Sequence, residues 1–143
     1  MPKQPSPRNL NIEDITAFVG KISKGLRGGE VFGLLGPLGS GKTTFTQVLA
    51  KSLGIKQRVA SPTFTLHSSY NGKVPSTGKS VTLHHLDAYR LKDPKQLLTL
   101  GVNEFLGKPN AITCIEWADI VKDVLPGNTE YIYLRNERNE NHK

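Results

Sequence analysis

The octapeptide GPLGSGKT at positions 36–43 restricts the possible fold more than any other part of this chain. It has the spacing GxxxxGK[ST], and its flanks matter as much as its letters. Before it stands a short apolar run, Val31 to Leu35, too brief for a helix and without alternation, the pattern of a strand covered on both faces. After it, Phe45, Val48, Leu49 and Leu53 recur at helical spacing from Lys42 to Leu53, and Gly54 is suited to end that helix. Strand, glycine loop and helix together make a P-loop, a nest of backbone N–H groups closed by a helix N-terminus, which is a site for phosphate. Gly36, Gly39 and Gly41 allow the loop to turn its N–H groups inward. Lys42 supplies a compact ammonium for the β and γ phosphates, the Thr43 hydroxyl is a hard oxygen donor for Mg²⁺, and the Thr44 N–H can reach the α-phosphate.

The remaining chain reads as an α/β pattern around that motif. Ile12, Ile15, Val19, Ile22 and Leu26 predict an amphipathic helix over 12–26, with Asn11 as its N-cap. Strand-forming residues at 63–70 and 81–86, separated by NGKVPSTGKS, predict a hairpin. Asp93-Pro94 opens a short helix that Gly101 closes, 111–115 is a second buried strand, 117–124 reads as helical, and 131–134 is a last strand. The expectation is one P-loop NTPase-like domain over 11–134, a central mixed β-sheet flanked by helices. A flexible N-terminus (1–10) precedes it, and a polar, disordered tail (135–143) follows.

A P-loop needs a carboxylate to hold the metal or position water, usually at the end of a buried strand. Glu116 directly follows Ala111, Ile112, Cys114 and Ile115, and Asp87 follows the strand ending at Leu86. For each, a solvated strand-end carboxylate is the competing reading.

The chain has 143 residues, 19 Lys+Arg against 12 Asp+Glu, and a formal charge of +7, which favours polyanionic ligands but selects none. One cysteine, Cys114, excludes an internal disulfide and any multi-cysteine zinc site. The opening MPKQPSPRNL lacks an apolar h-region and no run is long enough for a membrane span, so a cytoplasmic protein is expected. Neither NKxD nor DxxG occurs, which argues against a GTPase.

Four blocks, GPLGSGKTTFTQVLAKSLGI, SPTFTL at 61–66, HLDAYRLKDPKQLLTLGVNEFL at 85–106 and IEWAD at 115–119, resemble in order and spacing the TsaE (formerly YjeE) family. That resemblance implies a small ATPase required for the tRNA modification threonylcarbamoyladenosine, made beside the anticodon. It implies TsaB and TsaD type proteins as partners, with tRNA met only through that complex, and hydrolysis that resets the assembly. It assigns ATP binding to Gly39, Ser40, Gly41, Lys42, Thr43 and Thr44, Mg²⁺ to Thr43 and Glu116, and a hydrolytic role at the phosphates to Asp87, so that Lys42, Asp87 and Glu116 are the catalytic candidates. Ser61 to Phe64 resembles a switch-like loop, and Trp117 belongs to the family's IEW signature. The chain departs from the family at Pro37, Ala88 and Lys95-Gln96, and Arg138 is the candidate for an arginine that the family carries near its end.

Two other classes stay open on the residues alone. A nucleoside or nucleotide kinase would share the P-loop and pass phosphate to an acceptor. A non-hydrolysing module would use ATP only to gate assembly. Lys21, Lys24 and Arg27 offer a direct tRNA contact, with a solvated helix face as the simpler explanation.

Overall fold

The computed structural model describes residues 8–37, 39, 41–62 and 66–136. The apolar run before the glycine loop forms β2 (Val31–Leu35), its first four residues buried. Parallel strands flank it on both sides, β5 (Ala111–Glu116) and β6 (Glu130–Arg135), which explains why it carries no polar alternation. Beyond β5 lies β4 (Ser80–Asp87), parallel to it, and then β3 (His67–Lys73), antiparallel to β4. With β1 (Arg8–Asn11) parallel to β6 at the other edge, the order is β1-β6-β2-β5-β4-β3. The sheet is mixed, as expected, and its one antiparallel pair is the expected hairpin.

Each face of the sheet has its own core. On one, α1 (Ile15–Ile22) and α2 (Lys42–Ser52) set Ile15, Val19, Phe45 and Leu49 against Phe32, Leu34, Leu83 and Ile112. Phe45 is fully buried, its ring 5.8 Å from Phe32 and 6.3 Å from Phe18. The other face is covered by 3₁₀ segments at Pro94–Leu100, Val102–Glu104 and Ala118–Val124, which press Leu97, Val102, Val121 and Phe105 onto Val31, Leu86 and Ile115. Asp93 and Gln96 form a capping box at the first of these, and Gly101 ends it in the left-handed region (φ 75°).

Several boundaries differ from the expectations. Residues 12–26 make a 3₁₀ turn (Ile12–Asp14), α1 and a second 3₁₀ turn (Ser23–Gly25), with the Asn11 side chain accepting from Glu13 N at 3.3 Å. The segments 94–100 and 118–124 are helical where expected, in the tighter 3₁₀ form. Asn71, Gly72 and Lys73, which carry turn chemistry, belong to β3 and pair with Thr82, Val81 and Ser80. The glycine is required there by close approach. A Cβ on Gly72 would stand 2.7 Å from the Leu53 carbonyl oxygen, which also accepts from Lys73 N at 2.9 Å, so the end of α2 is tied to the strand. Residues 8–10, expected to be flexible, belong to β1 with Leu10 in the core, and Arg135, expected to open the tail, ends β6 opposite Asn11. The short strand RNLN has no local pattern; its hydrogen bonds come from β6.

Candidate nucleotide-binding site

The C-terminal ends of β2, β4 and β5 converge on one cavity of about 450 Å³, where open α/β sheets place their ligands. Its walls include Gly39, Gly41, Lys42, Thr43 and Thr44 from the loop and α2, Asp87 from β4, and Glu116 and Trp117 from the end of β5, with Ser61, Tyr89 and Arg90 completing it. Of the binding residues expected from sequence, these meet in one place; Ser40 lies outside the described residues, as do Thr63, Phe64 and Arg138.

The loop achieves its shape through glycines in the left-handed region. Gly36, Gly39 and Gly41 have φ of 131°, 76° and 106°. Gly41 is also the N-cap of α2 without a side-chain cap, and a Cβ there would meet Ile12 Cγ1 at 3.0 Å, so both backbone and packing demand glycine.

Lys42 is buried at 5% exposure. Its ammonium donates to the carbonyls of Gly36 at 2.7 Å and Pro37 at 2.9 Å and stands 3.9 Å from the centroid of the Trp117 indole. Burial lowers its pKa from the ordinary lysine value, and the negative charges of Glu116, Asp87 and Asp119 pull in the opposite direction. Trp117 reaches this position because its own backbone is left-handed (φ 59°, ψ 42°), a conformation that a bulky residue rarely adopts and that here turns the chain directly after Glu116. Tyr89 packs against the same indole, centroids 4.9 Å apart.

Register brings the carboxylates together. Asp87 and Glu116 are paired residues on adjacent parallel strands, so two acidic side chains end up neighbours at the mouth of the loop. Such a pair is unfavourable by itself and is offset by a cation. Glu116 Oε2 accepts from the Thr43 hydroxyl at 2.7 Å and from His85 Nε2 at 2.6 Å. Asp87 Oδ1 accepts from Tyr89 N at 3.0 Å, and its Oδ2 accepts from Ser61 Oγ at 3.3 Å, which links the segment resembling a switch loop to the carboxylate. The donors offered to a metal are the Thr43 hydroxyl and the Glu116 carboxylate, with Asp87 beside them on the neighbouring strand, all hard oxygens. Among the described residues no three His, Cys, Asp or Glu side chains form a metal-holding cluster. That set fits Mg²⁺, which takes one or two carboxylates together with phosphate oxygens.

Sequence reasoning does not single out His85. Its signal is its spacing: two residues before Asp87 on a strand, it shares that residue's face. Cys114 is buried, its thiol pushed up to about 12 chiefly by desolvation, and it lines no part of this cavity. Lys21, Lys24 and Arg27 are exposed and line no part of this cavity. No helix among the described residues is long and apolar enough to cross a membrane.

A glycine loop between a buried parallel strand and a helix, faced by carboxylates from neighbouring strand ends, is the arrangement of a P-loop NTPase-like protein. Within that class, the family model for the threonylcarbamoyl adenosine biosynthesis protein TsaE matches residues 10–143. The chain belongs to the TsaE family. It is 35% identical over 133 residues to the tRNA threonylcarbamoyladenosine biosynthesis protein TsaE of Bacillus subtilis, covering 93% of this chain and 78% of that one. The protein of that name from Treponema pallidum is 37% identical over 114 residues, 80% of this chain and 78% of the relative. The crystal structure of Bacillus subtilis YdiB superposes with a TM-score of 0.64 at 31% identity, over 87% of this chain and 71% of that one.

Proposed function

We propose that this chain binds Mg·ATP in the cavity at 36–44 and hydrolyses it, working in the cytoplasm with TsaB and TsaD type proteins in threonylcarbamoyladenosine formation and meeting tRNA only through them. The observation that carries the reading is the Thr43–Glu116 hydrogen bond of 2.7 Å beside the buried Lys42, inside a chain of the TsaE family.

The geometry supports the following roles. The loop N–H groups and the N-terminus of α2 would surround the phosphates, and Lys42 would contribute a positive charge that the carbonyls of Gly36 and Pro37 and the Trp117 face hold at the cavity wall. Thr43 and Glu116 would hold Mg²⁺, which when bound neutralises phosphate charge. Asp87, tied to Ser61 and to the turn at Tyr89, would face the phosphates and orient water for attack.

The test is ATP hydrolysis by the purified chain alone and with the cognate TsaB and TsaD type proteins. Turnover that rises on adding the partners is expected. Absence of both ATP binding and stimulation overturns the reading, and transfer of phosphate to a small acceptor in place of water would reassign the chain to the kinases.

A further inference from the structure

The Nε2 atom of His85 approaches Glu116 Oε2 to 2.6 Å, and His85 has no exposed surface. Its other ring nitrogen, Nδ1, has no hydrogen-bond partner among the described residues. A buried polar atom without a partner costs free energy, and an apolar side chain would avoid that cost, as Leu83 does two residues earlier on the same face. Packing therefore does not explain an imidazole at position 85; the carboxylate it touches does. The strand register supports this. His85 is paired with Cys114 and Asp87 with Glu116, so the ring reaches diagonally along the sheet face to the last residue of β5.

Glu116 Oε2 thus receives two donors from two elements, the His85 ring from β4 and the Thr43 hydroxyl from α2. Once the hydroxyl proton is committed to Glu116, the lone pairs of Thr43 Oγ1 point elsewhere. We infer that His85 is the positioning residue of this site: it fixes the rotamer of Glu116 and, through it, the orientation of Thr43, so that both present oxygen to the magnesium of the nucleotide. The inference rests on the Mg·ATP reading above. It requires that Nε2 carry a proton and that a donor at this point matter to metal binding, and it makes no demand on stability. Outer-sphere partners of this kind are worth about 10–100-fold in metal affinity or activity.

Three proteins and two measurements decide it: wild type, His85→Leu, which fills the space without a donor, and His85→Gln, whose amide nitrogen lies near the place of Nε2. A long-range ¹H–¹⁵N correlation spectrum of the wild-type protein should show a protonated Nε2; a bare Nε2 overturns the inference without any variant. Calorimetric titration with ATP is then run in EDTA and at increasing Mg²⁺. His85→Leu should bind ATP in EDTA within about twofold of wild type but need about 10–100-fold more Mg²⁺ for the metal-dependent gain in affinity, while His85→Gln recovers most of that loss. An unchanged Mg²⁺ requirement in folded His85→Leu overturns the inference, and so does a folded His85→Gln no better than His85→Leu. Should His85→Leu fail to fold, the wild-type spectrum and the Mg²⁺ requirement of His85→Gln decide between the two outcomes. Wild-type protein that binds no Mg·ATP at all would instead overturn the proposed function.

Discussion

Two adjacent histidines on β4 face opposite sides of the sheet and meet opposite conditions. His85 points to the α1/α2 side, fully buried, bonded to the Glu116 carboxylate beside the P-loop. His84 points to the side covered by 3₁₀ segments, where its ring lies flat on Phe105, centroids 3.7 Å apart and planes 6° from parallel, with its Nδ1 2.9 Å from His67 Nε2. Desolvation, with His67 nearby as a lesser cause, lowers the His84 pKa to about 4. The same side chain, one residue apart, thus meets a carboxylate on one face and an aromatic ring on the other. The cavity at the loop opens at the strand ends between these two faces, with Lys42 and Thr43 from α2 on one side and Trp117 from the 3₁₀ side on the other.

The sharpest way to break this contrast is at the loop. Lys42→Ala removes a buried ammonium that three neighbours hold in place and should abolish measurable ATP binding by calorimetry, while the melting curve persists. Retained affinity would detach the loop from phosphate binding. Next, Glu116→Ala should keep much of the nucleotide affinity measured in EDTA yet lose turnover by about 100-fold or more in the partner-stimulated assay, the size expected when a group acting on the transition state is deleted. Equal turnover would take Glu116 out of the mechanism.

On the opposite face the expectation reverses. Leu97, 1% exposed beneath the 3₁₀ cover, should cost about 2–5 kcal/mol when replaced by Ala, read from urea unfolding. At temperatures where that variant is folded, its ATP affinity should stay within about threefold of wild type, because Leu97 lines no part of the cavity at the loop. A large loss of affinity at constant stability would mean that the two faces are coupled.

The smallest effect concerns acid stability. Between pH 6.5 and about 4 the unfolded chain takes up a proton at His84 and the folded chain does not, so stability declines as pH falls through that window. His67, whose pKa burial also lowers, adds a contribution of the same sign. His84→Leu should therefore give a shallower fall in melting temperature on going from pH about 7 to about 4.5, and an unaltered slope would place the acid sensitivity elsewhere.

Legibility in the sequence tracks how local each cause is. The glycine loop, its strand and its helix can be read because Gly36 to Thr43 and the apolar spacing after it are adjacent in sequence. Glu116 and Asp87 are legible as strand-end carboxylates, but their being paired neighbours is a fact of strand order. β1 escapes a sequence reading because RNLN has one apolar residue and pairs with a strand more than 120 positions away. Gly72 reads as a turn because nothing nearby in sequence shows that the Leu53 carbonyl packs on it. His85 goes unnoticed for the same reason, since its partner Glu116 lies 31 residues on.

Sequence alone determined that this chain has a glycine loop of P-loop spacing, which elements surround it and which acidic residues could face it, because those depend on backbone freedom at glycine and on the period of apolar residues. Tertiary structure decided which carboxylate takes the Thr43 hydroxyl, that a histidine backs it and that a left-handed tryptophan covers the lysine. Those are distances between residues on different elements, and strand order, register and the seating of α2 on the sheet set them.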